Sequence, residues 1–407
     1  MGESPKPLSG IIVIDMTRVL AGPFATMILG QLGATIIKVE SPQGDDSRYF
    51  GPFLKMKDRS QKGLSAYFTS LNSGKKSIII DLKTKLGKKK LASLICKADI
   101  LIENFRPGTL KKLGFTSKKL TELNKTLIYL AISGFGATGP NAHRPAYDMI
   151  IQALSGLMSI TGPDAEGKKR KPFPEFVRVG TSISDIVSGL YATISIVTSL
   201  YQRTKTKVGN QTDLSMLDCT ITILENAIAR YQIEEIVPKP LGARHPSITP
   251  FESFQTKDSM IIIAAGNNSL FKNLCAVLGC NDLVSDPRFK NNEARTKNSK
   301  HLKIILQRLL SKKKSSVWLK KLVKAGVPTA KINTIADLFN DDQIKARKML
   351  IPVEGTNNFF IHGSPLTPGN QEIKLPAAPY LGEHTDEIIE KLGTCVERNT
   401  TTIDIIK

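Results

Sequence analysis

The chain has 407 residues, 41% hydrophobic and 6% aromatic, with 57 Lys and Arg against 36 Asp and Glu for a net charge of +21. That length exceeds a single compact core and provides for two or three domains, with an apolar share ordinary for a globular protein. No window approaches the 18 or more apolar residues of a membrane span, and five cysteines without a CxxC pair imply reduced thiols and an intracellular home, not a disulfide scaffold.

In chain order, "IIVID" (11–15) is a continuous apolar run of strand length, as in buried parallel sheets. "LAGP" follows, with Pro23 suited to a first helical turn. "FATMILGQLGA" has helix periodicity and "TIIKVE" (35–40) is a second strand, which makes a βαβ crossover. The alternation continues with strand "KSIIIDL", helix "KTKLGKKKLASLICKA", strand "DILIENF", the helix start "GTLKKLGF", and "TELNKTLIYLAISGF", which ends in a strand. From 147, "YDMIIQALSGLMSITG" reads as one helix and "SDIVSGLYATISIVTSLYQRTKT" as a longer one, followed by a strand running into a helix over 209–235. Residues 241–263 turn Pro-rich and then β, which marks a domain boundary; amphipathic helices reach about 340, and 345–385 is β- and Pro-rich. The architecture is α/β with a smaller second domain.

The Lys excess sits in blocks such as "KTKLGKKK" (83–90), "GKKRKP" (167–172) and "LSKKKSS" (310–316). Without interleaved aromatics or a recognition motif these read as solvated faces that attract a small anionic ligand, not as a nucleic-acid surface. "MGESPKPLSG" has neither the apolar core of a signal peptide nor an Arg-rich amphipathic helix. The five histidines show no metal spacing, and no GxSxG elbow or P-loop is present. "GFGATG" (134–139) matches the dinucleotide fingerprint, but "PNAHRPAYD" is a poor helix start, so a tight loop beside a ligand is expected. Carboxylates remain. Asp81 and Asp99 sit at strand edges, where backbone hydrogen bonding is the usual reason. Asp148 and Asp185 each open a helix, so capping is one reading of both. Asp185, inside the small and apolar "RVGTSISDIVSGLYA" (178–192), has a functional reading as well, because an unpartnered carboxylate there costs several kcal/mol.

Several long stretches together resemble the class III CoA-transferase superfamily of formyl-CoA transferase, carnitine-CoA transferase and α-methylacyl-CoA racemase. They include "DMTRVLAGPFATMILGQLGATIIKVESPQGDDSR", "ADILIENFRPGTLKKLGF", "RPAYDMIIQALSGLMSITG", "SDIVSGLYA" and "HPSITPFESFQTKDSMIIIAAGNN", and the resemblance runs from about residue 7 to 390. Within that superfamily the chain is most similar to the succinyl-CoA:glutarate (hydroxymethylglutarate) branch. The resemblance implies a Rossmann-like large domain (1–225), a smaller α+β domain with its linker (226–335) and a C-terminal segment (336–407) returning to the large domain. It also implies a homodimer of interlocked rings, acyl-CoA and small carboxylic acids as partners, and coenzyme A as substrate, with no permanent cofactor, metal, nucleic acid or membrane. The compartment it implies is the mitochondrial matrix or the cytoplasm.

By the same resemblance Asp185 falls on the family's catalytic aspartate. Val19, Leu20, Ala21, Ser41, Ile80, Lys83, Asn104, Phe105, Arg106 and Lys112 fall along the CoA groove, with Pro145, Ala146, Tyr147 and Asp148 beside the thioester. A dicarboxylate needs a cation for its distal carboxylate, and Arg18, Arg48, Arg144 and Arg178 lie beside matched motifs. Gly266 and Asn267, in the reduced loop "AAGNN", are further substrate candidates. Three departures narrow the chemistry. Oxalate-using members have Gln at the position of Leu20 and a basic residue at that of Ser41, which argues against oxalate here. The racemase branch carries His where this chain has Tyr147, so a two-base racemase lacks a base. The remaining alternative is a non-catalytic CoA- or polyanion-binding protein, raised by the net charge.

Overall fold

The computed structural model describes residues 6–58, 63–164, 175–366 and 375–393; the basic stretch 167–172 singled out above lies outside them. Strands Ile12–Asp15 (β1), Thr35–Glu40 (β2), Lys76–Ile79 (β3), Ile100–Glu103 (β4), Ile128–Ser133 (β5) and Gln211–Ser215 (β6) form one parallel sheet in the order β3-β2-β1-β4-β5-β6. Val13, Ile14, Ile78, Ile100, Leu101, Ile102 and Leu130 are wholly buried, which is why β1 and β4 at the centre of the sheet read as β-branched and aliphatic runs.

The helices of this region are Ala21–Gln31 (α1), Ala66–Asn72 (α2), Lys85–Lys97 (α3), Thr109–Lys112 (α4), Ser117–Leu123 (α5), Asp148–Leu154 (α6), Leu157–Ile160 (α7), Ile183–Thr206 (α8), Met216–Thr222 (α9) and Glu225–Glu234 (α10). On one face of the sheet Ile14, Ile37, Ile78 and Leu101 meet Leu91, Leu94 and Ile95 of α3 and Ile388 of the C-terminal helix Thr385–Gly393. On the other, Val13, Ile36, Ile100, Ile102 and Leu130 meet Ala25 and Leu29 of α1 and Ala192 and Ile196 of α8. The C-terminal helix is tied down by the His384 N–H donating to the Ser77 carbonyl at 2.9 Å and by Lys76–Glu387 at 2.8 Å.

Internal contacts divide the chain into Met1–Leu157, Val179–Ile233 and Asp342–Lys407 as one unit, with Met158–Arg178 and Glu234–Asp341 as the second. The boundaries expected after 225 and after 335 lie a few residues early, and residues 158–164 and 175–178 join the second unit, not the first. Within that second unit Phe251–Gln255 (β7), Met260–Ala264 (β8) and Thr329–Lys331 (β9) form an antiparallel sheet. Its core includes Phe254, Ile261, Ile263, Phe271, Leu274, Leu306 and Trp318.

Two expectations are corrected. The single helix expected over 147–162 breaks between α6 and α7, where Gly156 takes φ +91°, a left-handed conformation that ends helical propagation. And α8, at 24 residues, is long and apolar enough by composition to cross a membrane, contrary to the window reading above. Val187, Ala192 and Ile196 are buried against its own unit, as in a core helix.

α8 reaches α1 closely because Gly189 faces it: a Cβ there would sit 2.8 Å from the Ala21 carbonyl oxygen and 2.9 Å from Phe24 Cδ1. Gly189→Ala is therefore expected to cost about 1–3 kcal/mol, as overpacked contacts do. Chemical denaturation checks it, and an unchanged midpoint would show that the two helices part without cost.

Candidate active site

Strand order reverses at β1, whose neighbours β2 and β4 lead the sheet outward in opposite directions, and in such sheets ligands sit in the crevice beyond the strand carboxyl ends. A cavity of about 600 Å³ lies there. Arg18, Val19, Leu20 and Ala21 after β1 contribute to its wall, as do Ser41 and Gln43 after β2, Ile80 and Lys83 after β3, and Asn104, Phe105 and Arg106 after β4. Gly134 after β5, Arg144 to Tyr147, Met216 and Asp185 line it as well, with the acidic Asp46 and Asp81 also in the wall. The fold thus gathers in one wall residues that are more than 160 positions apart by number, Arg18 and Asp185 among them.

Asp185 is the third residue of α8, half-buried. Ser182 flanks the helix start without a side-chain cap, and among the described residues no donor reaches the Asp185 carboxylate, so the capping reading does not describe it. Burial, and then the nearby charge of Asp148, push its carboxyl up to about 7. Its placement is set from behind. Asp148 Oδ1 accepts the Ser184 N–H at 2.9 Å, Oδ2 accepts from Gln152 Nε2 at 2.8 Å, and Gln152 Oε1 accepts the Val179 N–H at 2.9 Å. Asp148 therefore caps the start of α8 from α6, with its side chain buried behind the cavity wall and not within it.

The other expected residues divide. Tyr147 is 76% exposed at the cavity edge. Lys112 is exposed on α4, outside the wall. Arg18 stands 3.8 Å from Asp46, and Arg144 lies over the Phe135 ring at 5.6 Å; both reach the cavity. Arg48 does not. Its guanidinium makes a two-pronged pair with Glu40, at 2.6 and 2.7 Å, and stacks 3.9 Å over Phe68. Arg178, Gly266 and Asn267 belong to the second unit. There the Gly266 carbonyl accepts from Arg295, and the Asn267 side chain caps the helix Asn268–Leu278 by accepting the Leu270 N–H at 2.8 Å.

"GFGATG" is a loop. Gly136 and Gly139 take φ +79° and +85°, no helix follows, and a Cβ on Gly134 would meet Ala146 Cβ at 2.6 Å, so the dinucleotide geometry is absent. Asp81 and Asp99 accept the Lys83 and Ile12 N–H groups at 2.9 Å each, as strand-edge residues do. Among the described residues no group of three His, Cys, Asp or Glu side chains is placed to hold a metal.

Residues 8–385 match the family model for CoA-transferase family III. The chain belongs to CoA-transferase family III. It is 41% identical to the acetyl-CoA:oxalate CoA-transferase of Acetobacter aceti over 93% of this chain and 94% of that one. It is 36% identical to the succinyl-CoA:glutarate CoA-transferase of Mus musculus over 96% and 87% of the two chains. A solved CaiB/BaiF family protein from Brucella suis superposes with a TM-score of 0.82 at 38% identity, covering 96% of this chain and 100% of that one.

One part of this CoA-transferase's site had no counterpart in the motif reading: a buried charge cluster beneath the 17–21 loop. Lys38 pairs with Asp45 at 2.9 Å and Lys75 with Asp15 at 3.1 Å, all four side chains essentially sealed from solvent. Burial disfavours charge on Lys38, yet Asp15, Asp45 and Glu40 together outweigh it and hold the ammonium above its usual range. Lys75, with fewer compensating charges, is pushed by burial down to about 8. The available signal was Lys38 itself, a lysine inside the apolar run "TIIKVE".

Proposed function

We propose that the chain moves CoA between short dicarboxylic acids, from succinyl-CoA to glutarate-like acceptors, with Asp185 as the covalent carrier. The observation that carries this reading is an unpaired carboxylate in the wall of a cavity that also holds Arg18, Lys83, Arg106 and Arg144. A carboxylate oxygen of Asp185 attacks the thioester carbonyl carbon, the C–S bond breaks, and CoA thiolate leaves behind a mixed anhydride. The thiolate then attacks the aspartyl carbonyl, which releases the donor carboxylate and leaves CoA as an aspartyl thioester. The acceptor carboxylate runs the same two steps in reverse. Overall one thioester is exchanged for another of comparable energy, with the anhydrides as transient higher-energy intermediates, so the transfer calls for no ATP, metal or permanent cofactor. Ile80, Leu20, Ala21 and Met216 keep water from the reactive intermediates.

Lys83 and Arg106 suit the phosphates of CoA, and residues 19–21 its thioester end. Arg18 and Arg144, at the cavity and unburdened by a buried partner, are the candidates for the distal carboxylate. Tyr147, without an imidazole, speaks against racemisation. The partner subunit is a second copy in an interlocked homodimer. Its support is a stripe on α8 of Leu190, Ile194, Val197 and Tyr201, 39–63% exposed, with Tyr191 beside it at 37%, and apolar faces of that kind are covered by a partner. The compartment is intracellular, the mitochondrial matrix or the cytoplasm, where acyl-CoA is found.

A second reading of the acceptor is oxalate, favoured by the 41% identity to a protein named for it and opposed by Leu20 and Ser41. An acceptor panel with labelled succinyl-CoA and acetyl-CoA separates the two. Transfer to glutarate over oxalate, and a rise of roughly 10-fold in the glutarate KM for Arg18→Ala or Arg144→Ala, is the expected outcome. Transfer to oxalate alone, or a KM unmoved by both substitutions, would remove the diacid reading.

A further inference from the structure

We propose that Asp45, backed by Lys38, is a positioning residue that holds Val19 in a strained left-handed turn and thereby sets residues 19–21 against Asp185. This inference rests on Asp185 as carrier. Among the described residues five non-glycines have positive φ. Four of them, Lys207, Glu235, Lys348 and Asn358, are exposed, where such a turn has room to relax. Val19 is β-branched and takes φ +64° in the cavity wall. A β-branched residue persists in that region only where its surroundings over-determine it, and such outliers collect at working sites.

Three side chains do the determining, each through backbone atoms. Both carboxylate oxygens of Asp45 accept the Val19 N–H, at 3.2 and 3.3 Å. Asn104 accepts the Arg18 N–H at 2.8 Å and donates to the Arg18 carbonyl at 2.9 Å. Lys38 donates to the Thr17 carbonyl at 2.8 Å while paired with Asp45. Asp45 is fixed in turn by the Ser47 N–H at 2.9 Å and hydroxyl at 2.7 Å. The turn at 19 lets the chain leave the β1 end and begin α1 at Ala21. Relaxed to an extended or right-handed conformation, residue 19 would swing Leu20 and Ala21 out of the wall they share with Asp185.

The test is a double-mutant cycle on CoA transfer, using the donor and acceptor pair that turns over fastest, with Asp45→Asn measured in the wild-type and Val19→Gly backgrounds. Glycine adopts the left-handed region without strain, so it no longer needs the clamp. D45N is expected to lower kcat at least 10-fold with the donor KM within 2-fold in the wild-type background, and to cost less than 3-fold in the V19G background. If D45N leaves Lys38 uncompensated and does not fold, K38M/D45N replaces the pair by neutral groups and enters the same cycle. A loss of the same size in both backgrounds, or one confined to KM, overturns the proposal. Failure of the carrier reading looks different: D185N would then turn over normally, whatever the coupling between positions 45 and 19.

Discussion

Asp185→Asn is expected to lower CoA transfer by roughly 1,000-fold or more, since it removes the proposed nucleophile, and at pH 8 to make the protein more stable, not less. The second half follows from the carboxyl's elevation to about 7 by burial and by Asp148. Below about pH 4 the folded and unfolded chains both hold the proton, and the group contributes nothing. Between about 4 and 7 the folded chain keeps a proton that the unfolded chain releases, so wild-type stability falls as pH rises and levels off above 7. Asparagine has no such slope. Allowing for partial solvent access and for the favourable first-turn position on α8, the gain at pH 8 is on the order of 2 kcal/mol. A capping aspartate would behave oppositely, with the variant losing about 1 kcal/mol. In the wild type kcat/KM should rise with pH through about 7, as the free carboxylate forms. Urea denaturation of both proteins at pH 5 and pH 8 decides it: equal midpoint shifts at the two values would show that Asp185 does not carry the strain of a buried acid.

Arg48→Ala is expected to cost about 3–5 kcal/mol of stability, the range for breaking a buried ion pair from one side. Glu40 would keep the Ser77 hydroxyl at 2.6 Å, the Asp45 N–H at 3.0 Å and the more distant attraction of Lys38, but its buried charge would lose its direct ion-pair partner. The Arg48 Nη1 donation to the Pro379 carbonyl at 2.9 Å, which ties the C-terminal segment to the β2 end, would also be lost. The same variant tests whether Arg48 is a substrate clamp. A protein of near-normal melting temperature with a selectively raised glutarate KM would reassign it from the fold to the cavity.

Much of the fold was legible because its signals are local. Buried parallel strands are rich in apolar residues, and "IIVID", "TIIKVE" and "DILIENF" carry such runs, the second interrupted by Lys38; helices of matching period stand between. The break after α6 was missed because Gly156 inside an apolar periodic run looks tolerable until its φ is known. The assignment of 158–164 and 175–178 to the second unit had no local signal at all, since contacts and not composition decide it. At the site, Asp185 was legible as an anomaly, a lone acid in small and apolar company, whereas its lack of a partner needed coordinates. Four arginines beside matched motifs were equivalent in sequence. Only the structure separates Arg48, turned into Glu40, from Arg18 and Arg144 at the cavity. The Lys38–Asp45 clamp on Val19 joins three short segments by side chain-to-backbone bonds, and no periodicity encodes such a contact.

The most direct measurement is mass spectrometry of the protein after brief incubation with succinyl-CoA and no acceptor. The peptide containing Asp185 should carry CoA as a thioester that glutarate discharges, and D185N, checked for deamidation back to aspartate, should carry none. CoA found on a different residue, or D185N turning over at a near-normal rate, would contradict the assignment of Asp185 as the carrier.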